Sequence, residues 1–334
     1  MQTSTAKRFT IFNHKGGVGK TTLTMNIAAV LTELGKRVLL VDSDPQCNLT
    51  SYLLEEPVVD DILDSSDSGA GRTIWSAVKP IVEGEGPPRL VEPFATSVEG
   101  LYLVPGDIQL SEFEGYLSDS WIESLQRRIR GFKGTTAISD VVTALVTALD
   151  IDYVFYDSGP NIGPLNRAVL LDCDYFIVPV ACDLFSLRAL KTLGRTLVNW
   201  IATWETVADL APAGTSLLPG HPCFLGYIPE RFKIYAGALT VQHARFLGQI
   251  DREIQSQIVN VLRTQGPGLV SRRKRYALGA LKDFGTLVAA SQREGRPLYN
   301  VSSGTAGQRR LAYEALFGIA KAIDQYVIDA GRSP

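Results

Sequence analysis

Asn13-His14-Lys15-Gly16-Gly17-Val18-Gly19-Lys20-Thr21-Thr22 lies between a strand-like run, FTIFN (9–13), and a helix-like run, LTMNIAAVLTELG (23–35). Strand, glycine-rich turn and helix in that order make a phosphate cradle. Gly16, Gly17 and Gly19 let the backbone bend so that its N–H groups converge on a polyphosphate, and the helix that follows adds the positive end of its dipole. Lys20 is placed to neutralise β- and γ-phosphates, and the Thr21 hydroxyl to ligate Mg²⁺. The usual G-x-x-x-x-G-K-[ST] spacing is not fully met, because His14 stands at the first glycine position and Lys15 adds a second lysine at the mouth of the loop.

Two more strand ends carry acids. VLLVD (38–42) is a near-continuous apolar run, as a parallel strand buried on both faces requires, and it leads into Asp42-Ser43-Asp44-Pro45-Gln46. YVFYD (153–157) repeats the pattern and ends in Asp157. Ligands of open α/β sheets collect at the carboxyl ends of strands, so Asp42, Asp44 and Asp157 should face the crevice that holds the glycine loop. Asp157 suits a magnesium-bound water beside Thr21. Carboxylates at 42 and 44 also suit the capping of a following helix, and both readings stay open.

The K-G-G-x-G-K-T-T loop with D-x-D-P-Q resembles the deviant Walker A box and second nucleotide motif of the ParA/MinD family of ATPases. Further matches follow in the family's order: Asp157 as a Walker B acid, Ser158–Asn166 (SGPNIGPLN) as a switch segment, and PVACDLFSL (179–187), where Asp183 replaces the family's Glu. The resemblance implies an α/β P-loop NTPase fold, doubly wound, with a mostly parallel sheet flanked by helices. It implies ATP and Mg²⁺ as cofactors, bound through Lys15, Gly16, Gly17, Val18, Gly19, Lys20, Thr21 and Thr22, with Asp42, Asp157 and Thr21 serving the metal. Lys15, Lys20 and Asp44 take the catalytic roles: Lys15 reaches the partner's phosphates across an ATP-sandwich homodimer, and Asp44 orients the attacking water. The family's base-packing run after the strand CFLGYIP (223–229) is replaced here by Pro229-Glu230-Arg231-Phe232-Lys233, which leaves Pro229 as the expected base neighbour.

Composition sets outer bounds. At 334 residues with 45% hydrophobic and 20% charged residues, the chain reads as one globular domain. Residues 55–100, acidic and turn-rich around a helix-compatible island at 73–82, read as a surface excursion, and 236–283 as an elaborated helical insertion. A net charge of −2, from 33 Lys+Arg against 35 Asp+Glu, excludes a uniformly basic nucleic-acid binder, so any DNA contact rests on a local patch. Arg272, Arg273, Lys274 and Arg275 supply one beside Tyr276, though a basic turn near a helix end has the same composition. Cys47, Cys173, Cys182 and Cys223 lack metal-ligand spacing and read as thiols of a reducing cytoplasm.

No run approaches the length of a membrane span, and the last segment, DQYVIDAGRSP, lacks the lysine-rich amphipathic character of the family's membrane-bound members. The tail from 284 is similar to the family end, which implies a short strand, a Q-x-x-G-x-P turn (292–297) and a closing helix with Leu311, Ala315, Leu316, Ile319, Ala320 and Ile323 on one face. The resemblance points to a ParA-type partitioning ATPase, cytoplasmic or at the nucleoid, whose ATP dimer binds DNA without sequence preference and whose hydrolysis a ParB-like or other protein activator stimulates. The alternatives are a relative that positions a protein assembly without touching DNA and, further off, a ligase of the same fold.

Overall fold

The computed structural model describes residues 6–332 apart from 233, 236, 237 and 240, with side chains described outside 231–244. Lys233, from the run expected near the base, lies outside the described residues. The chain begins with β1 (Lys7–Ile11), α1 (Lys20–Glu33), β2 (Val38–Asp42), α2 (Asn48–Leu53), α3 (Glu56–Asp64) and α4 (Ile74–Val82). It continues through β3 (Phe94–Ala95), β4 (Leu101–Val104), α5 (Leu110–Leu125), α6 (Ile129–Leu149), β5 (Tyr153–Asp157), α7 (Pro164–Asp172), β6 (Tyr175–Ala181) and α8 (Leu184–Ala208). Then come β7 (Cys223–Phe232), a small hairpin of β8 (Ile234–Tyr235) and β9 (Ala238–Leu239), and α9 (Val241–Ile254). A π-helical turn (Gln255–Val259) joins α9 to α10 (Asn260–Gln265), and β10 (Leu281–Lys282), α11 (Gly285–Glu294) and α12 (Ala306–Arg332) close the fold.

One sheet organises these elements, in the order β10-β7-β6-β1-β5-β2-β4-β3. Its pairings are parallel except for β3 against β4. The strands read as unbroken apolar runs because successive residues serve opposite layers. Leu39, Val41, Val154, Tyr156, Phe176 and Val178 enter the core shared with α4 to α9. Their neighbours Val38, Leu40, Tyr153, Phe155 and Ile177 enter the core shared with α1, α2, α11 and α12. Both faces are therefore covered by helices, as a doubly wound sheet demands.

Two stretches take a more defined place than composition indicates. Within the excursion, Ile74, Ala77 and Val78 of α4 are fully buried, and Thr73 caps the helix by accepting from the Ser76 N–H at 3.0 Å. That cap is worth about 1 kcal/mol. The insertion packs against α8 as a continuous helix interrupted by a π turn: Ile250, Ile254, Ile258, Val259 and Leu262 are buried, and a Cβ at Gly194 would collide with the carbonyl of Gln257. Helix α9 changes to a π turn where it meets Gly194, the usual consequence of an extra residue in a helix held against a neighbour.

One expected element is corrected. The short strand expected from residue 284 is helix α11, and the strand lies just ahead of it at Leu281–Lys282. The physical reason is the spacing of Leu287, Ala290 and Ser291, which puts one helical face against the core.

Candidate functional site

The crevice forms where β1, β5, β2 and β6 end. Gly17 and Gly19 take left-handed φ values of 69° and 73°, so the loop can curl only with glycine at these positions. Asn13 fixes its start, donating from Nδ2 to the Pro179 carbonyl at 2.8 Å and accepting from the Lys15 N–H at 3.0 Å. Gly19 is the N-cap of α1, and its carbonyl accepts from the Leu23 N–H at 2.8 Å.

The two lysines face different surroundings. Lys20 is 8% exposed, and burial pulls its pKa down against the opposing pull of Asp157 and Asp44. Lys15 turns outward to the rim, where its ammonium donates to both carboxylate oxygens of Asp183 at 2.7 Å and to the Ser186 hydroxyl at 2.8 Å. Asp183 also caps α8, accepting from the Ser186 N–H at 2.8 Å. Burial alone would raise its pKa, but the bonds from Lys15 and Ser186 bring it below the ordinary value. His14, beside Lys20, is held below its usual pKa first by burial and then by that lysine's charge.

The acids gather as their strand ends require. Asp42 and Asp157 are register partners on neighbouring strands. Asp157 Oδ2 accepts from the Thr21 hydroxyl at 2.7 Å, while its Oδ1 is buried without a hydrogen-bond partner. Burial and the charge of Asp42 raise the Asp157 pKa well above the carboxylate range. Asp42 Oδ2 accepts from the Thr50 N–H at 2.8 Å and the Thr50 hydroxyl at 2.6 Å, and Oδ1 from the Asp44 N–H at 3.2 Å. The helix-capping reading of Asp42 is therefore realised, and burial still lifts its pKa to about 6. Asp44 accepts from the Gln46 N–H at 3.0 Å and faces the switch, where a Cβ on Gly159 would stand 3.1 Å from its Oδ1.

The segment 158–166, expected to act as a switch, is pinned by Asn166, whose Nδ2 donates to the Gly159 carbonyl at 3.0 Å and to Asn161 Oδ1 at 2.7 Å. Pro160 packs over Gly16 of the loop. The crevice thus assembles Lys15, Gly16, Gly17, Val18, Gly19, Lys20, Thr21 and Thr22 with Asp42, Asp44 and Asp157. Pro229 is buried in register with Val180, and its neighbour Glu230, not Pro229, lines the cavity beside Thr22. Arg272–Arg275 lie away from this crevice, against α12: Arg273 donates from Nη1 to the Ala322 carbonyl at 3.3 Å and from Nε to the Arg275 carbonyl at 3.2 Å, and burial lowers its pKa. One cation of the basic run is therefore partly spent inside the fold.

Sequence reasoning missed three groups: Asp183 as the partner of Lys15, Ser186, and Glu230. Asp183 was legible as an N-cap three residues ahead of Ser186, but not as the lysine's partner. Among the described residues no cluster of three or more His, Cys, Asp or Glu side chains is arranged to hold a metal alone, and no helix is long and apolar enough to cross a membrane.

A profile of the AAA domain family (AAA_31) matches residues 6–207. The sporulation initiation inhibitor protein Soj of Bacillus subtilis is 33% identical over 197 residues, covering 57% of this chain and 64% of that protein. The chromosome partitioning protein ParA of Caulobacter vibrioides is 32% identical over 189 residues, covering 56% and 60%. The match thus spans under two thirds of these relatives' length. Among solved structures, protein DIP2308 from Corynebacterium diphtheriae is similar over 97% of this chain and 99% of its own, with a TM-score of 0.75 and 27% identity.

Proposed function

This chain belongs to the ParA/MinD family of P-loop ATPases, and from that premise we propose that it is an ATP-driven dimerising switch of the partitioning type. ATP sits with its phosphates in the Gly16–Thr22 loop and is hydrolysed to ADP and phosphate. The observation that carries this reading is the division of labour between the two lysines: Lys20 is enclosed beside Asp157 and Asp44, whereas Lys15 stands at the rim, held by Asp183 and Ser186 until it is released toward a second copy.

The residues present suit Mg²⁺. Hard oxygen donors are what that ion requires, and it commonly takes one or two protein oxygens and completes its shell with water and phosphate. Thr21 and the unpartnered Oδ1 of Asp157 are such donors, and Asp42, tied to Thr50, supports them from the next strand. When bound, the ion neutralises charge on the β- and γ-phosphates. Asp44 holds the attacking water in line, Lys20 steadies charge developing on the phosphoryl oxygens, and Lys15 of a second copy adds a further cation there. Dimerisation is then part of hydrolysis, and a protein activator acts on an assembled pair.

The ATP dimer binds DNA through phosphate contacts from the 272–275 turn, with Arg272, Lys274 and Arg275 carrying more of the contact than Arg273. The Lys15→Ala variant tests the trans role: it should bind ATP but neither dimerise nor hydrolyse it, and wild-type turnover in that variant refutes the assignment. Binding to random-sequence duplex DNA across a salt series tests the cellular role. Affinity should require ATP and fall with salt, and Lys274→Ala should reduce the logarithmic salt slope by about one. An ATP-bound protein that ignores DNA at low salt refutes partitioning and favours the relative that positions protein assemblies.

A further inference from the structure

Glu230 is an acid of the crevice that the mechanism above leaves without a task. It stands near the end of β7, in register with Ala181 of β6 on one side and Leu281 of β10 on the other, and it is only 3% exposed. Its carboxylate is packed on the phosphate loop itself. A Cβ at Gly19 would stand 2.7 Å from Glu230 Oε1 and nearer still to Oε2, so the glycine is required by this contact as well as by its φ of +73°. A cavity of about 310 Å³ adjoins that contact, lined by Gly19, Thr22, Glu230, Lys282, Phe284 and Val288 among others. Its volume is at the lower end of the range for small-ligand pockets.

We propose that Glu230 binds the sugar hydroxyls of the nucleotide and makes the site selective for ribonucleotides. The proposal rests on the nucleotide-binding reading given above. Lys20 and Thr21 hold the terminal phosphates, and Gly19 and Thr22, which flank them in sequence, form the mouth of the cavity. A polyphosphate anchored on that pair carries its sugar past Thr22 into this space. An ionised carboxylate only accepts hydrogen bonds. A carboxylate beside a bound polyphosphate is best met by hydrogen-bond donors, and the two adjacent hydroxyls of ribose are donors that a nucleotide brings there. Acids at the end of a strand meet ribose hydroxyls in the same way in dinucleotide-binding folds.

The experiment measures binding of ATP, 2′-deoxy-ATP and 3′-deoxy-ATP, each with Mg²⁺, to the full chain by calorimetry. A hydrogen bond to a charged group sets the expected preference of the wild type for ATP over at least one deoxy nucleotide at about tenfold or more. Glu230→Gln, which keeps the shape, should bind all three within about twofold of one another, a spread too small for a charged hydrogen bond. Wild-type protein that binds ATP and both deoxy nucleotides equally overturns the sugar assignment and leaves the nucleotide reading standing, and this arm needs no variant to fold. Undiminished discrimination in Glu230→Gln removes Glu230 from the role. Wild-type protein that binds none of the three overturns both readings.

Discussion

Replacing Asp183 with Asn should tighten the ATP-dependent dimer. In the single chain Lys15 is held by Asp183 through two contacts of 2.7 Å, and a lysine so held cannot also reach a second copy's phosphates. Asn keeps an oxygen to cap α8 through the Ser186 N–H, so the helix start should survive, but the ion pair is lost. The Lys15 and Asp183 side chains are 27% and 42% exposed, which places the pair near the surface class, worth about 0.5 to 1 kcal/mol. Two such pairs open per dimer, so the change favours assembly by about 1 to 2 kcal/mol, or roughly fivefold to thirtyfold in the dissociation constant. Sedimentation equilibrium with a non-hydrolysable ATP analogue and Mg²⁺ measures this directly, with the thermal midpoint as the folding check. A variant of unchanged thermal midpoint whose dimer is no tighter than wild type would refute the idea that Asp183 restrains the lysine.

Four further outcomes follow from the same geometry. Asp42 has a pKa of about 6 in the folded protein against an ordinary 3.8, so its contribution to stability is complete below about pH 4 and is lost as pH rises through 6; ligand-free wild type should lose thermal stability between about pH 4 and 6.5 relative to Asp42→Asn, and parallel profiles over that window would contradict this. Gly194→Ala forces a methyl group onto the Gln257 carbonyl and should cost about 1 to 3 kcal/mol in urea denaturation, whereas a neutral change would show that α8 and the π turn do not meet as described. Phe185, 71% exposed beside Leu184 at 53%, borders Asp183 at the rim; Phe185→Ser should leave monomer stability within about 0.5 kcal/mol and weaken the ATP dimer, and an unaffected dimer would place the interface elsewhere. Chelation of Mg²⁺ with EDTA should weaken ATP binding at least tenfold, since a carboxylate-lined site holds a polyphosphate poorly without its cation, and metal-independent binding would argue against the Asp157–Thr21 assignment.

The parts of this fold that sequence makes plain are those governed by local pattern. VLLVD and YVFYD declare buried parallel strands because each residue must satisfy one of two apolar layers, and the acid that ends each run marks the crevice. The glycine loop is equally plain, since its φ values admit little else. The segment after Phe284 misleads because TLVAAS suits strand and helix alike over so short a span, and only Leu287, Ala290 and Ser291 on one buried face decide for helix. What sequence cannot display is partnership across the sheet. Lys15 meets Asp183 from 168 residues away, and Glu230 reaches Gly19 only because β6 sets β7 two places from the loop's strand. The role of Asp42 was ambiguous for a related reason: a carboxylate at a strand end can serve a metal or cap a helix, and Thr50 shows that the capping contacts are made without moving the side chain from the crevice.

The charges of the crevice explain why such a site should act as a switch. Asp42, Asp44 and Asp157 are all at most 5% exposed, with one enclosed lysine, Lys20, among them. Burial first, and the charge of neighbouring acids second, raise the pKa values of Asp42 and Asp157, so the crevice tolerates its excess of acidic groups poorly. A polyphosphate entering alone would deepen that excess, and burial amplifies the repulsion by lowering the local dielectric. Cations must therefore come with it. Mg²⁺ at Thr21 and Asp157 is one source, and the other is a lysine that the single chain keeps on Asp183 at the rim. An empty site can leave Lys15 there at no electrostatic cost, whereas a filled one draws it inward or draws in that of a neighbour. Within its own chain Lys15 is already engaged by Asp183 and Ser186, so the further cation is proposed to come from a second copy. On the proposed reading, occupancy by a triphosphate and association of two chains would be coupled through one charge, and removing the terminal phosphate would remove the reason for both.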